Sequence, residues 1–442
     1  MNYFSLGNNE NEFAISAPWF PEVSLRKKVY REQYVDLYIY AIQRIILSED
    51  NSRPYVASSP FNGLESVEEN WIAKNPEDTL YGDVHYYNYG DEPLDWTIYP
   101  KTRFASEYGF ESFPSINAFV HVTNQSDLSY PLSTFFQKRQ HHDQGNEQIQ
   151  NMIKAYFKLP SQGGADRLSD FIYLSQIIQA MAIKVETEFY LRDRQLTPTG
   201  NGFTMGALYW QLNDIWQGPS WSSIEFGGKW KMLHYFIKEM FESLLVSPYE
   251  DNGVLKVSIV RDDLHGNLDF DLFVKVYKWS SQKPVKVITR KVSTNELTAN
   301  LVYQQNISQL LTVSNCSSRN ECLIYVHANN SNLNVQTQNF LFLEPLKNAL
   351  GLTKPNLQIK QITKVSSNQV YFIITLQSSQ IAPFVWLDFK TTSNITGTFS
   401  ENGFLMLNHF KTIQFTPDDT TLIFNQFKSD LIIKSLADVV SQ

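Results

Sequence analysis

Two short segments, far apart along the chain, each place a glutamate at the end of an apolar stretch. Glu107 follows Phe104 and is closed off by Gly109, and Glu10 follows a run of small polar residues near the start. This pattern is typical of a buried strand whose last residues project into a cleft. Two carboxyl groups held on separate strand ends are the minimum equipment for cleaving a glycosidic bond, because one attacks the sugar while the other donates a proton.

Glu107 has a structural alternative, an ion pair with Arg103 four positions earlier. Buried acidic residues are usually paired, which favours this interpretation when the residue is considered alone. Positions four apart in a strand share a face but are separated by about 13 Å. A direct pair within one strand is therefore difficult, and the residues by themselves leave both interpretations open.

Length and composition limit the classes of partner. The 442 residues predict two or three domains. A net charge of −8 argues against nucleic acid, which requires a basic surface. The most apolar helical stretch, 34–47, is interrupted by Asp36, Gln43 and Arg44, and a membrane span needs about 18 uninterrupted apolar residues. We therefore expect no nucleic acid and no membrane as a partner.

Short apolar strands alternate with helices in the first half of the chain. Helices are predicted over 22–48, 147–157, 166–192 and 229–245, and strands over 55–57, 81–87, 103–107 and 203–212. This alternation indicates a parallel α/β arrangement. Strand ends at Glu10, Ser58, His85, Glu107 and Trp210 predict the C-terminal part of a (β/α)₈ TIM barrel, with further strands needed to close it.

After Pro248 the apolar residues recur every second position, and short strands follow one another to the C-terminus. This is the pattern of antiparallel β-sandwiches of the Ig-like type. The fold class expected is thus multidomain, α/β plus all-β. Its domains are predicted as a partial barrel over 1–247, one sandwich over 248–345 and a second over 346–442.

Cysteine and histidine usage predicts a disulfide and no metal site. Cys316 and Cys322 could close a small loop, which would place the chain in an oxidising compartment. A metal site would need a second pair or a nearby histidine. The adjacent His141 and His142 would point apart. Sequons at Asn124, Asn306, Asn315, Asn329 and Asn394 support secretion weakly.

Several segments in order resemble the animal, lysosomal-type β-mannosidases of glycoside hydrolase family two; they are 5–12, 82–86, 103–109, 206–214, 227–236 and 382–388. The resemblance covers nearly the whole chain. It implies the C-terminal half of a retaining exo-β-mannosidase that needs no cofactor. The substrate implied is the terminal, non-reducing β-D-mannose of oligosaccharides from N-glycan degradation. The compartment implied is the lysosome or secretory pathway, and the missing N-terminal half of the polypeptide would complete the barrel.

The resemblance also implies roles for individual residues. Glu107 corresponds to the nucleophile and Glu10 to the acid/base. Asn9 corresponds to the residue that binds the 2-hydroxyl of the sugar, and Trp210 to the floor of the −1 subsite. At the strand end before Glu107, His85 and Tyr86 are candidates to hold the nucleophile ionised and oriented, although a hydrogen-bonded core histidine is an equally good interpretation of His85.

Two nearby acids qualify these assignments. Glu12 repeats the Asn-Glu pair and competes with Glu10 as the proton donor, but it fits better at the start of the next helix. Glu111 stands where relatives usually carry glutamine. An additional acid there is expected to raise the pKa of Glu107.

Two rival functions remain open. One is another family-two glycosidase, a β-galactosidase or β-glucuronidase, with the same two acids. The other is a non-catalytic, carbohydrate-binding remnant. Uncovered strand edges promote misfolding, so the 442-residue chain alone is expected to be inactive and poorly soluble.

Overall fold

The structure is a computed structural model that describes residues 11–16, 24–90, 92–195, 200–366 and 369–440. A mixed α/β region comes first, and two regions of antiparallel strands follow. This order confirms the coarse prediction of an α/β part followed by all-β domains. By compactness the described residues divide into two units, one within 1–109 and 185–210 and the other within 110–184 and 211–442.

The α/β region contains one long helix and several short ones. They are α1 (Asn11–Ser16), α2 (Lys27–Tyr34), a π-helix (Val35–Gln43), α3 (Arg44–Glu49), α4 (Leu64–Glu68), α5 (Ile116–Phe119), α6 (Thr134–Arg139), α7 (Gly145–Tyr156), α8 (Ala165–Arg192) and α9 (Met232–Met240). Its strands are β1 (Asp83–Tyr86), β2 (Phe104–Tyr108) and β3 (Ala207–Tyr209). Short 3₁₀ turns lie at Trp96–Ile98 and Gln125–Asp127.

Helices α2 and α3 and the π-helix between them run without a break, as the apolar spacing over 22–48 predicts. Tyr34 and Ile39 are buried and join a small core with Phe61 and Ile72. Ile45, which the same apolar spacing predicts on the buried face, is instead 63% exposed. The predicted helices over 147–157 and 166–192 are confirmed as α7 and α8. Helix α9 is shorter than the predicted 229–245.

Strands β1, β2 and β3 form a parallel sheet in that order. Two glycines allow close approach at its edges. A Cβ on Gly82 would lie 1.6 Å from the Phe61 carbonyl oxygen, and one on Gly206 would lie 2.3 Å from the Phe104 ring. Both positions therefore exclude larger residues.

Two strand predictions in this region are wrong. The stretch 203–212 forms only the three-residue β3, and Leu208 within it is 52% exposed rather than fully buried. The stretch 55–57 contributes a single bridge residue, Tyr55. Both stretches contain apolar residues, but a run of apolar residues does not by itself determine the length of a strand.

The first antiparallel region comprises strands β4 to β10 in two sheets, ordered β4-β5-β8 and β10-β9-β6-β7. The strands are β4 (Leu244–Asp251), β5 (Val254–Arg261), β6 (Leu268–Lys278), β7 (Lys286–Thr294), β8 (Ala299–Asn306), β9 (Cys322–Asn330) and β10 (Val335–Phe342), with helix α10 (Ile307–Val313) after β8 and 3₁₀ turns at Arg319–Glu321 and Leu346–Asn348. Alternate residues of both sheets fill one core, among them Val257 and Val274. Cys316 and Cys322 form a disulfide at its edge, as predicted.

The second antiparallel region repeats this plan, with sheets ordered β11-β12-β16-β14 and β15-β13-β17. Its strands are β11 (Gln358–Ser366), β12 (Val370–Gln377), β13 (Ala382–Phe389), β14 (Gly397–Phe399), β15 (Phe404–Met406), β16 (Phe410–Pro417) and β17 (Leu431–Lys434), with helices α11 (Phe424–Asp430) and α12 (Leu436–Val440). Phe389 of one sheet packs on Phe415 of the other, ring centroids 5.1 Å apart. Among the residues described, no helix is long and apolar enough to span a membrane.

Candidate active site

A shift in strand register brings Glu107 beside His85. Strands β1 and β2 are paired in parallel, and Val84 aligns with Ala105. Regular pairing would next align His85 with Ser106, but an irregularity after Val84 aligns it with Glu107 instead. Such an irregularity re-aims the side chain that follows it. The two side chains predicted to act together therefore leave neighbouring strands at the same level.

The carboxylate of Glu107 is held by two side chains. The Nδ1 atom of His85 lies 3.3 Å from Glu107 Oε2, and the Tyr87 hydroxyl donates to the same oxygen at 3.1 Å. The side chains of His85 and Glu107 are only 6% and 10% exposed. A carboxylate this far removed from water depends on hydrogen bonds from its neighbours, and such bonds favour its ionised form.

His85 is in turn anchored on its other ring nitrogen. Its Nε2 atom lies 3.0 Å from the Ser59 hydroxyl, which donates to Asp83 Oδ2 at 2.5 Å. The Ser106 hydroxyl also donates to Asp83 Oδ2, at 2.6 Å. Contacts at both ring nitrogens therefore fix the orientation of the imidazole.

Asp83 therefore holds the side chains of Ser59 and Ser106 in place next to His85. Its second oxygen, Oδ1, accepts the Phe61 backbone N–H at 2.7 Å, which fixes the carboxylate between β1 and the preceding loop. Sequence reasoning missed Asp83, Ser59 and Tyr87. Asp83 and Tyr87 lie within two residues of His85, so the signal available was a cluster of polar residues at one strand end.

The structure separates Tyr86 from the carboxylate of Glu107. The Tyr86 hydroxyl donates to the Ile98 carbonyl at 2.9 Å and accepts from the Asn88 amide at 3.0 Å. Successive strand residues face opposite sides, which accounts for the hydroxyl of Tyr87 reaching Glu107 where that of Tyr86 was expected to.

Arg103 does not take the role of ion-pair partner to Glu107. Its guanidinium donates to three backbone carbonyls, those of Leu80, Gly202 and Gly200, at 3.1, 2.7 and 2.7 Å. It thereby ties the start of β2 to the segment that leads into β3. The structural alternative for Glu107 is contradicted.

Trp210 follows directly after β3, and its backbone N–H donates to the Tyr108 carbonyl at 2.8 Å. It is therefore at the same end of the sheet as Glu107, and it is partly exposed. Beneath it, the fully buried Tyr108 packs against Tyr190, with ring centroids 5.2 Å apart. The Tyr108 hydroxyl and Thr187 Oγ1 are 2.8 Å apart. Burial raises the pKa of Tyr108, so this hydroxyl stays protonated.

The first predicted acid and its neighbour, Glu10 and Asn9, lie outside the described residues. Glu12 is described, in the first turn of α1, and its side chain is fully buried. Its Oε1 atom accepts from the Ser66 hydroxyl at 2.7 Å and from the Ala73 N–H at 2.6 Å. Burial raises the pKa of Glu12 to about 7. Through these hydrogen bonds Glu12 connects α1 to the segment 66–73.

Glu111 has its own buried surroundings. The Gln140 amide donates to Glu111 Oε2 at 2.9 Å, while Oε1 is buried without a hydrogen-bond partner. Burial raises the pKa of Glu111 to about 7, and the positive charge of Lys231 opposes that rise. The effect expected of Glu111 on Glu107 stays a prediction.

The adjacent histidines contact aromatic rings. His141 lies 4.6 Å from Trp216 and His142 lies 5.7 Å from Trp221, measured between ring centroids. His142 Nε2 is 2.8 Å from Gln148 Oε1. In the part of the chain that the structure describes, no three His, Cys, Asp or Glu side chains are grouped to hold a metal ion.

Comparison with known proteins finds family models for the two antiparallel regions and similar proteins along most of the chain. A family model for a mannosidase Ig/CBM-like domain matches residues 253–348, and a model for an Ig-fold domain matches residues 352–439. The β-mannosidase of Mus musculus is 44% identical over 415 residues, which are 93% of this chain and 46% of the relative. The β-mannosidase of Bos taurus is 40% identical over 438 residues, 98% of this chain and 48% of the relative.

Solved structures show the same fold. The β-D-mannosidase of Dictyoglomus thermophilum superposes with a TM-score of 0.77 at 22% identity, covering 97% of this chain and 47% of that one. An exo-chitosanase of Amycolatopsis orientalis superposes with a TM-score of 0.58 at 16% identity, covering 80% of this chain and 44% of that one. The chain spans about half the length of the curated relatives it matches.

Proposed function

Because the chain is homologous to the β-mannosidases of glycoside hydrolase family two, we propose that it carries the catalytic acids of a retaining exo-β-mannosidase. The substrate is the terminal, non-reducing β-D-mannose of oligosaccharides released in N-glycan degradation. The observation that carries the proposal is the buried carboxylate of Glu107, held by His85 and Tyr87 at the end of a parallel strand. The chemistry uses no cofactor.

Glu107 acts as the nucleophile. Its carboxylate attacks the anomeric carbon as the glycosidic bond breaks, and Glu10 gives its proton to the departing oxygen. Glu10 then removes a proton from water, whose oxygen attacks the anomeric carbon and releases Glu107 with mannose of retained configuration. This double displacement requires the two carboxyl groups to lie about 5–5.5 Å apart.

The neighbours of Glu107 keep it ready for attack. The Tyr87 hydroxyl donates to Oε2 and His85 Nδ1 lies 3.3 Å from the same atom, so the carboxylate is fixed in orientation. Ser59 and Asp83 fix the ring of His85 in turn. Asn9 binds the 2-hydroxyl of the sugar, and Trp210 forms the floor against which the ring rests. His85 and Tyr86, which align with Glu107 and Tyr108, are the remaining residues proposed for substrate binding at this end of the sheet.

The proposal extends to the fold around the site. Residues 1–247 form part of a (β/α)₈ barrel whose remaining strands come from a segment of the polypeptide N-terminal to this chain. Exposed apolar side chains next to and within β3, Met205 at 67% and Leu208 at 52%, support this, because further elements of a barrel would cover them. The two sandwiches are residues 248–345 and 346–442.

The proposed compartment is the lysosome or the secretory pathway. The disulfide between Cys316 and Cys322 supports it, since disulfides form and persist in oxidising compartments.

The experiment uses the full-length protein and p-nitrophenyl β-D-mannoside, β-D-galactoside and β-D-glucuronide. Faster hydrolysis of the mannoside is expected, and Glu107→Gln should lower kcat by about 10³-fold or more, as loss of a nucleophile does. Glu321→Gln is the control, because that acid lies in a 3₁₀ turn of the first antiparallel region and its replacement should keep turnover. Preference for the galactoside or glucuronide would favour another family-two glycosidase, and full turnover by Glu107→Gln would refute the assignment.

A further inference from the structure

A cleft of about 530 Å³ lies where helix α8, the loop before α9 and strands β13 and β17 meet. That volume is within the range of about 300–1,000 Å³ typical of small-molecule sites. All of its lining residues belong to one compact unit, and none of them surrounds Glu107.

Two tryptophans line the cleft, the partly exposed Trp230 and Trp386, which is only 7% exposed. The ring of the buried Tyr235 packs against both, at 5.2 Å from Trp230 and 5.8 Å from Trp386 between ring centroids. The Trp386 indole N–H donates to Asp388 Oδ2 at 3.4 Å. The partly exposed ring of Trp230 offers an apolar surface that suits the C–H groups of a sugar ring.

The charged side chains of the cleft are equal in number for each sign, and several of them are paired. Lys229 Nζ donates to both oxygens of Asp388, at 2.7 and 2.8 Å. Asp170 Oδ2 accepts from Arg167 at 2.9 Å, and its Oδ1 lies 3.8 Å from Lys434 Nζ. The cationic lining residues, Arg167, Lys229, Lys390 and Lys434, are matched in number by Asp166, Asp170, Glu225 and Asp388.

This charge balance decides the class of ligand. A site for an anion needs cations in excess, and here the four cations are matched by four acidic side chains, with Lys229 paired to Asp388. Ammonium and carboxylate groups nevertheless keep unused donors and lone pairs after pairing. The Lys229 and Asp388 side chains are 33% and 20% exposed, so these positions remain accessible. Hydroxyl groups, which donate and accept, match such a surface.

From the balanced charges and the tryptophans that line it, we infer that this cleft binds a neutral saccharide unit. The inference is independent of hydrolysis at Glu107, because the two sites share no residue. Sugar binding here would hold an oligosaccharide chain on the protein without contributing a reacting group.

The test is hydrogen–deuterium exchange of the Glu107→Gln protein titrated with methyl β-D-mannopyranoside and β-1,4-mannobiose. Backbone peptides covering 225–230, 386–391 and 432–434 should become protected. Lys229→Met should raise the half-saturating concentration for that protection about tenfold, the cost of one hydrogen-bonding charged group. The matched control is Lys278→Met, which removes another lysine paired at 2.7 Å, with Glu321.

Asp388→Asn keeps the volume of the side chain and repeats the test if Lys229→Met does not fold. Absence of protection in these peptides would overturn the inference, and so would equal protection in Lys229→Met and Lys278→Met. Stronger protection by glucuronate or sulfate than by the neutral sugars would show an anion site instead and would also overturn it. Protection with no hydrolysis by the parent protein would refute the proposed function alone.

Discussion

Replacing Glu111 with glutamine should stabilise the protein, and only above acidic pH. Burial raises the pKa of Glu111 from 4.5 to about 7. Because the folded chain then holds a proton that the unfolded chain has lost, stability falls as the pH rises from about 4.5 to about 7, and it stays reduced above that. A pKa change of this size corresponds to about 3 kcal/mol.

The neighbouring Lys231 reduces the expected gain. It is fully buried, and burial lowers its pKa to about 8, while the charge of Glu111 is among those that raise it. Glu111→Gln removes that attraction, so the net gain at pH 8 should be about 1–3 kcal/mol. Near pH 4.5 the variant and the wild type should be almost equally stable, because Glu111 is then protonated in the folded chain.

The assay is urea unfolding of both proteins at several pH values from 5 to 8, followed by tryptophan fluorescence. Glu321→Gln is the control. Lys278 and Ser317 lower the pKa of Glu321 to about 2, so its contribution is present throughout that range and its difference from wild type should not change with pH. A Glu111→Gln difference that is constant or that shrinks as the pH rises would refute the reasoning.

Two further changes probe the site and the sheet that carries it. Tyr87→Phe removes one hydrogen bond to the Glu107 carboxylate. Because Tyr87 is 36% exposed, kcat/KM for p-nitrophenyl β-mannoside should fall about tenfold, the low end for a bond to a charged group. Tyr81→Phe is the control, and equal rates for the two variants would contradict the role of Tyr87. Gly82→Ala should lower the free energy of unfolding by about 1–3 kcal/mol, because its Cβ would lie 1.6 Å from the Phe61 carbonyl oxygen. Gly164→Ala, at a position with open space, should be nearly neutral in the same urea titration. A neutral Gly82→Ala would show that the Gly82 backbone does not approach the Phe61 carbonyl closely.

The sequence was most informative where a periodic pattern was long. Helix α8 and the two-residue period of β6 were predictable because many positions agree on one face. The strand around Glu107 was predictable for a different reason, a glycine closing a short apolar run. At β3, the apolar run over 203–212 was predicted as a long strand, although Leu208 points to solvent.

The partners of Glu107 could be predicted only in part. His85 was selected because it stands at the neighbouring strand end, but its alignment with Glu107 depends on a register irregularity after Val84 that no local pattern specifies. Tyr87 was missed for the same reason. Alternate residues of a strand face opposite sides, and the register irregularity decides which of them face Glu107. Ser59 comes from a separate loop, and only the folded chain brings it to His85.

Glu12 is a residue for which the sequence suggested chemistry and the structure shows structural contacts instead. Sequence alone left it as a competitor for the acid/base, and only its contacts with Ser66 and Ala73 reveal a buried fastening role. The choice between Glu10 and Glu12 depended on where α1 begins, and element ends are what sequence patterns specify least well.

The most direct measurement is covalent labelling of the full-length protein with 2-deoxy-2-fluoro-β-D-mannosyl fluoride, followed by peptide mass spectrometry. A slow glycosyl-enzyme should accumulate on the carboxylate of Glu107 alone, and the Glu107→Gln protein should remain unlabelled. A label on any other residue, or turnover of the reagent with inversion and no covalent adduct, would contradict the assignment of Glu107 as the nucleophile of a retaining β-mannosidase.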